Sequence, residues 1–362
     1  MHQDRLARIR AQMKAAHVDL LGLPPGDDLF YLLGYSPHAD ERPCYLFLSA
    51  ADAVFLVPEL NAGQARAHVD LPFLTYTDAE GPADALRQAR DRLGAAGRFC
   101  VGDTMRADFL LLLQERWSTS AFVAGAHVMA PVRMIKTADE IALMRRSAAT
   151  ADVAVDAAFA ACRPGVTEVA VARAVADAFA AQHVTHTGVA IVGGGPNSAY
   201  PHHASGTRPL QTGQPVLVDL GGRLEGYASD ITRMAYLGEP SARYREVHAA
   251  VERAVRAGID AVKPGAPLAA VDRAARKVID DAGYGKYFTH RTGHGIGITG
   301  HEPPSVTHTN EMPMEEGMVF SIEPGIYLEG EFGVRLEEIV VVTSRGGERL
   351  SALPREVRVL PV

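Results

Sequence analysis

The sequence predicts an α+β protein of two domains, a small α/β domain over residues 1–130 and a larger domain over residues 131–362. Three observations predict it. The 362 residues exceed what one ordinary core organises, since domains cluster near about 100 to 150 residues. Helix-like and strand-like segments alternate up to about residue 128. Beyond that point the chain repeats itself at offsets close to 100 residues, first as helix pairs and then as strand pairs.

Taken in order, a charged amphipathic helix covers roughly residues 3–17. Strand-like runs follow at CYLFLSA (44–50), AVFLVPEL (53–60), RFCVG (98–102) and FVAGAHVM (122–129), with helices near 83–95 and 107–117. This part contains no GxGxxG or GxxxxGKS segment, so neither a dinucleotide nor a triphosphate site is supported. The segment PVRMIKTADE then leads into a long helix. Thr137 followed by Glu140 is a capping box ahead of Ile141, Met144 and Ala148, which puts the domain boundary near 130–137.

The repeat begins with AACRPGVTEVAVARAVADAFAA (160–181) and DAVKPGAPLAAVDRAARKVIDD (260–281). Each joins two helices through a basic residue, a proline and a glycine, and Pro164 and Pro264 lie 100 residues apart. A second pair, GQPVLVDLGG (213–222) and GMVFSIEPGI (317–326), is a glycine-led apolar strand with an acid near its end. Asp219 and Glu323 lie 104 residues apart. Two such halves predict a pseudo-twofold domain whose strands form a central antiparallel sheet.

Composition narrows the classes of function. Hydrophobic residues at 47% and charged residues at 22% are near globular averages, which disfavours disorder and membrane classes alike. The N-terminus carries charges every few residues and lacks the apolar core of a signal peptide, and no run approaches the roughly 20 apolar residues of a membrane span. A cytoplasmic location is the expectation. Cys44, Cys100 and Cys162 lie far apart without CxxC spacing, which argues against both a disulfide framework and a thiolate zinc site. A formal charge of −7 with no run of Lys or Arg excludes a nucleic-acid footprint.

The chemistry sits in the repeated strands. In VLVDLGGRLEGYASDITRMAYL, a glycine-rich turn around Gly221, Gly222 and Gly226 folds one strand back on the other, so Asp219 and Asp230 can meet across the hairpin. Their neighbours Leu217, Val218, Leu220 and Ile231 are apolar, and a carboxylate buried among them calls for a compensating cation. The second half supplies Glu323 in VFSIEPGIY and Glu337 in GVRLEEIVVV. Between the halves lies YFTHRTGHGIGITGHEPP, with His290, His294 and His301 among glycines that permit close backbone approach. Four carboxylates and an imidazole form an oxygen-rich set suited to two divalent ions about 3.5 to 4 Å apart.

These segments resemble the metal-binding signature of the creatinase and aminopeptidase family, whose fold is called pita-bread. The spacings of 11 residues from Asp219 to Asp230, 29 from His294 to Glu323 and 14 from Glu323 to Glu337 are similar to those of its Xaa-Pro peptidases, prolidase and aminopeptidase P. The resemblance covers essentially the whole chain, because those enzymes carry a creatinase-like N-terminal domain of this size. It implies that Asp219 chelates one metal, that Asp230 and Glu337 bridge both, and that His294 and Glu323 complete the second, with Mn2+, Co2+ or Zn2+ all compatible. It further implies Glu323 as general base toward the attacking water, with His202 and His301 hydrogen-bonding the carbonyl or tetrahedral intermediate. His290 matches a further substrate-side histidine. Arg335, two residues from Glu337 and on the same face of the strand, is placed to orient an acidic ligand. His203 and Glu338 face the other way and read as structural groups.

Substrates implied are Xaa-Pro dipeptides or short proline-containing peptides, and the family suggests a homodimer. A dipeptidase must bind the carboxylate of the departing proline, commonly through an arginine shortly after the HE segment. This chain has no Lys or Arg from 302 to 334. Arg42, in the polar turn YSPHADERPCY, is the replacement that the sequence offers.

Overall fold

Apolar runs near the N-terminus are buried on both faces and assemble as the interior strands of a mixed sheet. The computed structural model describes residues 2–186 and 190–362, and the chain divides into two units, Met1–Arg133 and Met134–Val362. The six strands of the first unit are ordered Phe73–Tyr76, Ala53–Pro58, Tyr45–Ser49, Leu20–Leu23, Arg98–Val101 and Ala121–Ala124. Tyr45–Ser49 runs antiparallel to both of its neighbours, and the remaining pairs are parallel. Tyr45, Phe47, Phe99 and Trp117 form the aromatic centre of its core.

Local chemistry moves some boundaries from where the pattern put them. Pro58 ends its strand and Glu59 opens the helix Glu59–His68, so the run 53–60 is not one element. The run 122–129 likewise stops at Ala124, and after Gly125 the helix Ala126–Met134 buries Val128, Met129 and Val132 at helical spacing. The strands Leu20–Leu23 and Phe73–Tyr76 and the helix Asp27–Leu33 are additional elements.

In the second unit, the helix Ala138–Ala161 opens with a complete capping box. The Thr137 hydroxyl accepts from the Glu140 backbone N–H at 3.3 Å, and the Glu140 carboxylate accepts from the Thr137 N–H at 2.8 Å. This helix pairs with Glu168–Ala181, and Ala242–Asp260 pairs with Leu268–Asp281. Both links share one geometry. Gly165 and Gly265 take left-handed φ values of 87° and 81°, which glycine adopts without steric cost. Their N–H groups donate to the Leu210 and Met314 carbonyls, each at 2.8 Å.

The strands that follow do not form the single central antiparallel sheet anticipated from the repeat. Hydrogen bonding divides them into a four-stranded sheet, ordered Arg358–Leu360, Ile231–Leu237, Pro215–Leu220, Ile191–Gly194, a five-stranded sheet, ordered Glu302–Val306, Gly293–Gly295, Val319–Ile322, Glu338–Thr343, Gly346–Arg349, and a small three-stranded sheet of Tyr227–Ala228, Gly222–Leu224 and Thr185–His186. The last strand, Arg358–Leu360, pairs parallel with Ile231–Leu237. The second ladder breaks where Pro324, lacking an N–H, follows Glu323, and the chain departs into a separate ribbon of Gly325–Leu328 and Phe332–Arg335. A backbone bond from Glu337 N–H to Thr232 carbonyl, at 3.2 Å, ties the two sheets together.

One buried acid anchors the loop that follows the strand Ile191–Gly194. The side chain of Glu168, fully buried, accepts from Gly194 N–H at 2.9 Å, Asn197 Nδ2 at 2.8 Å and Gly206 N–H at 3.1 Å, and meets His203 Nε2 at 2.8 Å. Burial opposes its charge, but these bonds outweigh it and hold the carboxyl below its ordinary pKa. Glu168→Ala should cost about 3 kcal/mol in urea unfolding, because it strands several buried donors. With a depressed folded pKa, that contribution is full above the usual glutamate value of about 4.3 and is lost as pH falls through the folded value. The difference between parent and variant should therefore shrink in acid.

Candidate metal centre

The two sheets place their acids at strand ends, where side chains leave the ladder and converge on a cavity of about 880 Å³. Asp219 stands next to last in the strand Pro215–Leu220, and Asp230 directly precedes Ile231–Leu237. Glu323 directly follows Val319–Ile322, and Glu337 directly precedes Glu338–Thr343. His294 is the middle residue of Gly293–Gly295, which pairs with the strand Glu302–Val306 on one side and with Val319–Ile322 on the other. The glycine beside it is required by contact. A Cβ on Gly293 would lie 1.8 Å from the Ser321 carbonyl oxygen.

Ligand atoms of Asp219, Asp230 and Glu337 lie within 4.8 Å of one another, and so do those of His294, Glu323 and Glu337. The two triplets share Glu337. A third set joins Asp230 and His294 to His301. His294 Nε2 is 3.4 Å from Glu323 Oε1 and 3.8 Å from Asp230 Oδ2. Its Nδ1 lies 3.0 Å from the Gly295 carbonyl, a bond that requires the proton on Nδ1 and leaves the Nε2 lone pair facing the carboxylates.

Electrostatics agree with an oxygen-rich cation site. Burial, then the charges of Asp219 and Glu323, push Asp230 well above the carboxylate range, and burial with Asp230 does the same to Glu337. Burial with Asp219 raises Glu323 to about 7, against the opposing charge of Arg335. Desolvation lowers His294 to about 3, so its imidazole is neutral at physiological pH. Neutral imidazole and crowded carboxylates are the protonation behaviour and donor set that a hard divalent ion satisfies.

Supporting groups complete the centre. Arg335, buried, donates to Asp219, to Tyr327 Oη at 3.0 Å and to Thr232 Oγ1 at 3.2 Å. Thr232 donates to Glu337 Oε2 at 2.9 Å, and Ser321 donates to Glu323 Oε1 at 3.2 Å. Both lie two residues from an acid, a same-face spacing that could have marked them in the sequence. Tyr327 carried no such signal. Its hydroxyl, accepting from Arg335, donates to His290 Nε2 at 2.8 Å, while His290 Nδ1 meets the Arg291 carbonyl at 2.7 Å. Both nitrogens of His290 are thus paired within the protein, and desolvation lowers it to about 4.

His202 and His301 both line the cavity, the His301 ring tilted 39° against that of His294 at 3.8 Å between centroids. His203 contacts Glu168, and Glu338 is buried against Arg233 and Arg355. Arg42 belongs to the first unit. There its guanidinium meets Asp78 through Nε at 2.8 Å and Nη2 at 3.0 Å, and Asp40 and Glu41 through Nη1. Arg291, which sequence reasoning passed over, lines the cavity beside His290.

Comparison with known proteins gives the family. The model of metallopeptidase family M24 matches residues 142–344, and that of the creatinase/prolidase N-terminal domain matches residues 5–135. The chain belongs to metallopeptidase family M24. It is 37% identical to the probable dipeptidase PepE of Mycobacterium tuberculosis, over 99% of this chain and 96% of that protein. It is also 37% identical to the Xaa-Pro dipeptidase of Lactobacillus delbrueckii subsp. lactis, with 92% of each chain covered. Among solved structures, the prolidase of Thermococcus sibiricus superposes with a TM-score of 0.94 at 30% identity, covering 99% of both chains. This metallopeptidase therefore has the pita-bread catalytic domain after a creatinase-type N-terminal domain, and it works with divalent metal. No helix among the described residues is long and apolar enough to cross a membrane.

The raised acids give the metal-free metallopeptidase a distinctive pH response. Burial and mutual repulsion raise Asp230, Glu323 and Glu337 above their ordinary values, Glu323 to about 7, so the folded metal-free site holds protons that the unfolded chain gives up at lower pH. Stability held by an acid with a raised folded pKa is lost as pH climbs from the unfolded value to the folded one, so the chelator-treated protein should lose stability relative to the metal-loaded protein as pH rises through about 7. Added manganese, which competes with those protons, should reverse the slope. Melting curves across that range with and without the metal measure it.

Proposed function

We propose that this metallopeptidase is a dinuclear Xaa-Pro dipeptidase that hydrolyses the bond before proline. The observation that carries this reading is the pair of ligand triplets joined at Glu337 on the floor of one cavity. There Asp219, Asp230 and Glu337 would hold one ion, and His294 and Glu323, together with Asp230 and Glu337, would hold the other. The names of the relatives supply the substrate class. A bound ion pair lowers the pKa of water and polarises the scissile carbonyl.

Around that chemistry the residues of the chain have separate tasks. Glu323 takes the proton of the attacking water. His202 and His301 donate to the carbonyl oxygen as it gains charge, and one of them relays the proton that Glu323 has taken up to the prolyl nitrogen as it leaves. The free α-amino group of the substrate meets the Asp230 carboxylate, which confines cleavage to the first peptide bond. Arg335 fixes Asp219, and His290, paired through Tyr327, supports that arginine from behind. The native ion is manganese, cobalt or zinc, and the enzyme acts as a cytoplasmic homodimer. A second reading, aminopeptidase P acting on longer peptides, is favoured by one observation, the absence of any Lys or Arg from 302 to 334.

Reconstituted protein should carry two metal equivalents per chain, and Asp219→Asn should reduce that number. It should cleave Ala-Pro faster than an Ala-Pro-containing pentapeptide and should lose activity to a chelator. Glu323→Gln should lower kcat by at least about 100-fold. Chelator-resistant cleavage, or inertness toward every Xaa-Pro peptide after metal loading, would sink the proposal, and a preference for the pentapeptide would select aminopeptidase P.

A further inference from the structure

Hydrolysis of a dipeptide demands a cation for a carboxylate that lies one residue beyond the scissile bond. Two arginines line the catalytic cavity, Arg291 and Arg335. Arg335 is committed, since its three nitrogens donate to Asp219, Tyr327 and Thr232. Arg42 is committed as well, its fork occupied by Asp78 and its remaining nitrogen by Asp40 and Glu41. A substrate carboxylate arriving there would meet three acids.

Arg291 differs from both. It is half-buried at the cavity wall, and among the described residues no carboxylate lies within salt-bridge distance of it. Its recorded side-chain bond is from Nη1 to Ser305 Oγ, at 2.9 Å. That leaves most of a planar five-donor fork for a ligand. Its backbone is clamped, the carbonyl accepting from His290 Nδ1 at 2.7 Å while Arg276 Nη2 donates to the preceding carbonyl at 2.9 Å. Ser305 is the register partner of His294 across the strand pair, so the serine that steadies the guanidinium sits beside a candidate metal ligand. The charge of Arg291 is felt there too, acting with burial and other groups to depress His294 and His301.

We propose that Arg291, steadied by Ser305, binds the terminal carboxylate of the substrate and thereby selects dipeptides. This rests on the Xaa-Pro peptidase reading above and names the group that narrows it. Serine at position 305 fits the role, because it accepts one guanidinium hydrogen bond without neutralising the charge. The absence of a Lys or Arg after the HE segment then has a compensation 11 residues upstream of Glu302.

The test compares kcat/KM for Ala-Pro and for Ala-Pro amide, which lacks the carboxylate charge, using the manganese-loaded full chain. The parent should favour the acid, and Arg291→Ala should lower the acid-to-amide ratio about 10- to 100-fold, chiefly through KM. Arg291→Lys, which keeps the charge without the fork, should fall between them, and Arg291→Gln replaces the alanine variant if that one does not fold. A parental ratio in the alanine or glutamine variant overturns the proposal, as does a parent that cleaves acid and amide equally well. Collapse of the ratio in Arg42→Ala, with Arg291→Ala at the parental value, returns the role to Arg42. A parent that cleaves neither compound overturns the peptidase reading itself.

Discussion

Four carboxylates meet at the floor of one cavity, and Arg335 is the buried cation bonded directly to any of them. Side chains held this close repel one another in a medium that screens poorly, so the scaffold must supply what water would otherwise provide. It does so in three ways. Hydroxyls of Thr232 and Ser321 donate to Glu337 and Glu323. Arg335 neutralises Asp219. The remaining charge is carried as retained protons or as bound metal, and these exclude one another, so the site exchanges protons for ions.

Such repulsion also explains why the acids sit at strand ends. A carboxylate in mid-strand has its backbone locked in the ladder and its neighbours packed on both sides. At a terminus the backbone is anchored on one side and free to turn on the other, which lets four side chains from two sheets point at one centre. Behind them Arg233, buried and bonded to the Glu337 carbonyl at 2.5 Å and to Glu338 Oε1 at 2.9 Å, fixes the strand that delivers Glu337. Glu338 thus serves the site without facing it.

The internal repeat makes this convergence cheap to specify and leaves it asymmetric. Gly165 and Gly265 turn the same way and bind equivalent carbonyls, so each half places its helix pair by the same rule. The hairpins then differ. Asp219 and Asp230 enclose a short ribbon of Gly222–Leu224 and Tyr227–Ala228, which pairs on with Thr185–His186, while Glu323 and Glu337 enclose the longer ribbon that carries Tyr327. One half therefore presents two aspartates, and the other presents two glutamates, an imidazole and a tyrosine relay. Much of this was legible in the sequence, because acids inside apolar runs contradict their surroundings and the capping box at Thr137 is a local signal. Less legible were Thr232, Ser321 and Tyr327, which look like ordinary strand residues, and Arg291, whose isolation from acids exists only in three dimensions. In the first unit, LLGL at Leu20–Leu23 lacks alternation because both faces are buried, and FVAGAHVM reads as one strand because an apolar run does not announce the turn at Gly125.

The cavity's two arginines show how one residue type serves two purposes according to its neighbours. Arg335 is buried among a carboxylate, a phenol and a hydroxyl, and its charge is consumed in fixing the geometry of the metal centre. Arg291 stands half-exposed with a hydroxyl alone to hold it, so its charge is still available to a ligand. Exchanging the two environments would be costly in both directions. A free guanidinium beside Asp219 would compete with a metal ion for that acid, and a carboxylate beside Arg291 would occupy the fork before any substrate arrived. Placing Ser305 rather than an acid opposite His294 keeps the wall positive where the floor is negative. A zwitterionic dipeptide, amine toward the floor and carboxylate toward the wall, fits that polarity in one orientation.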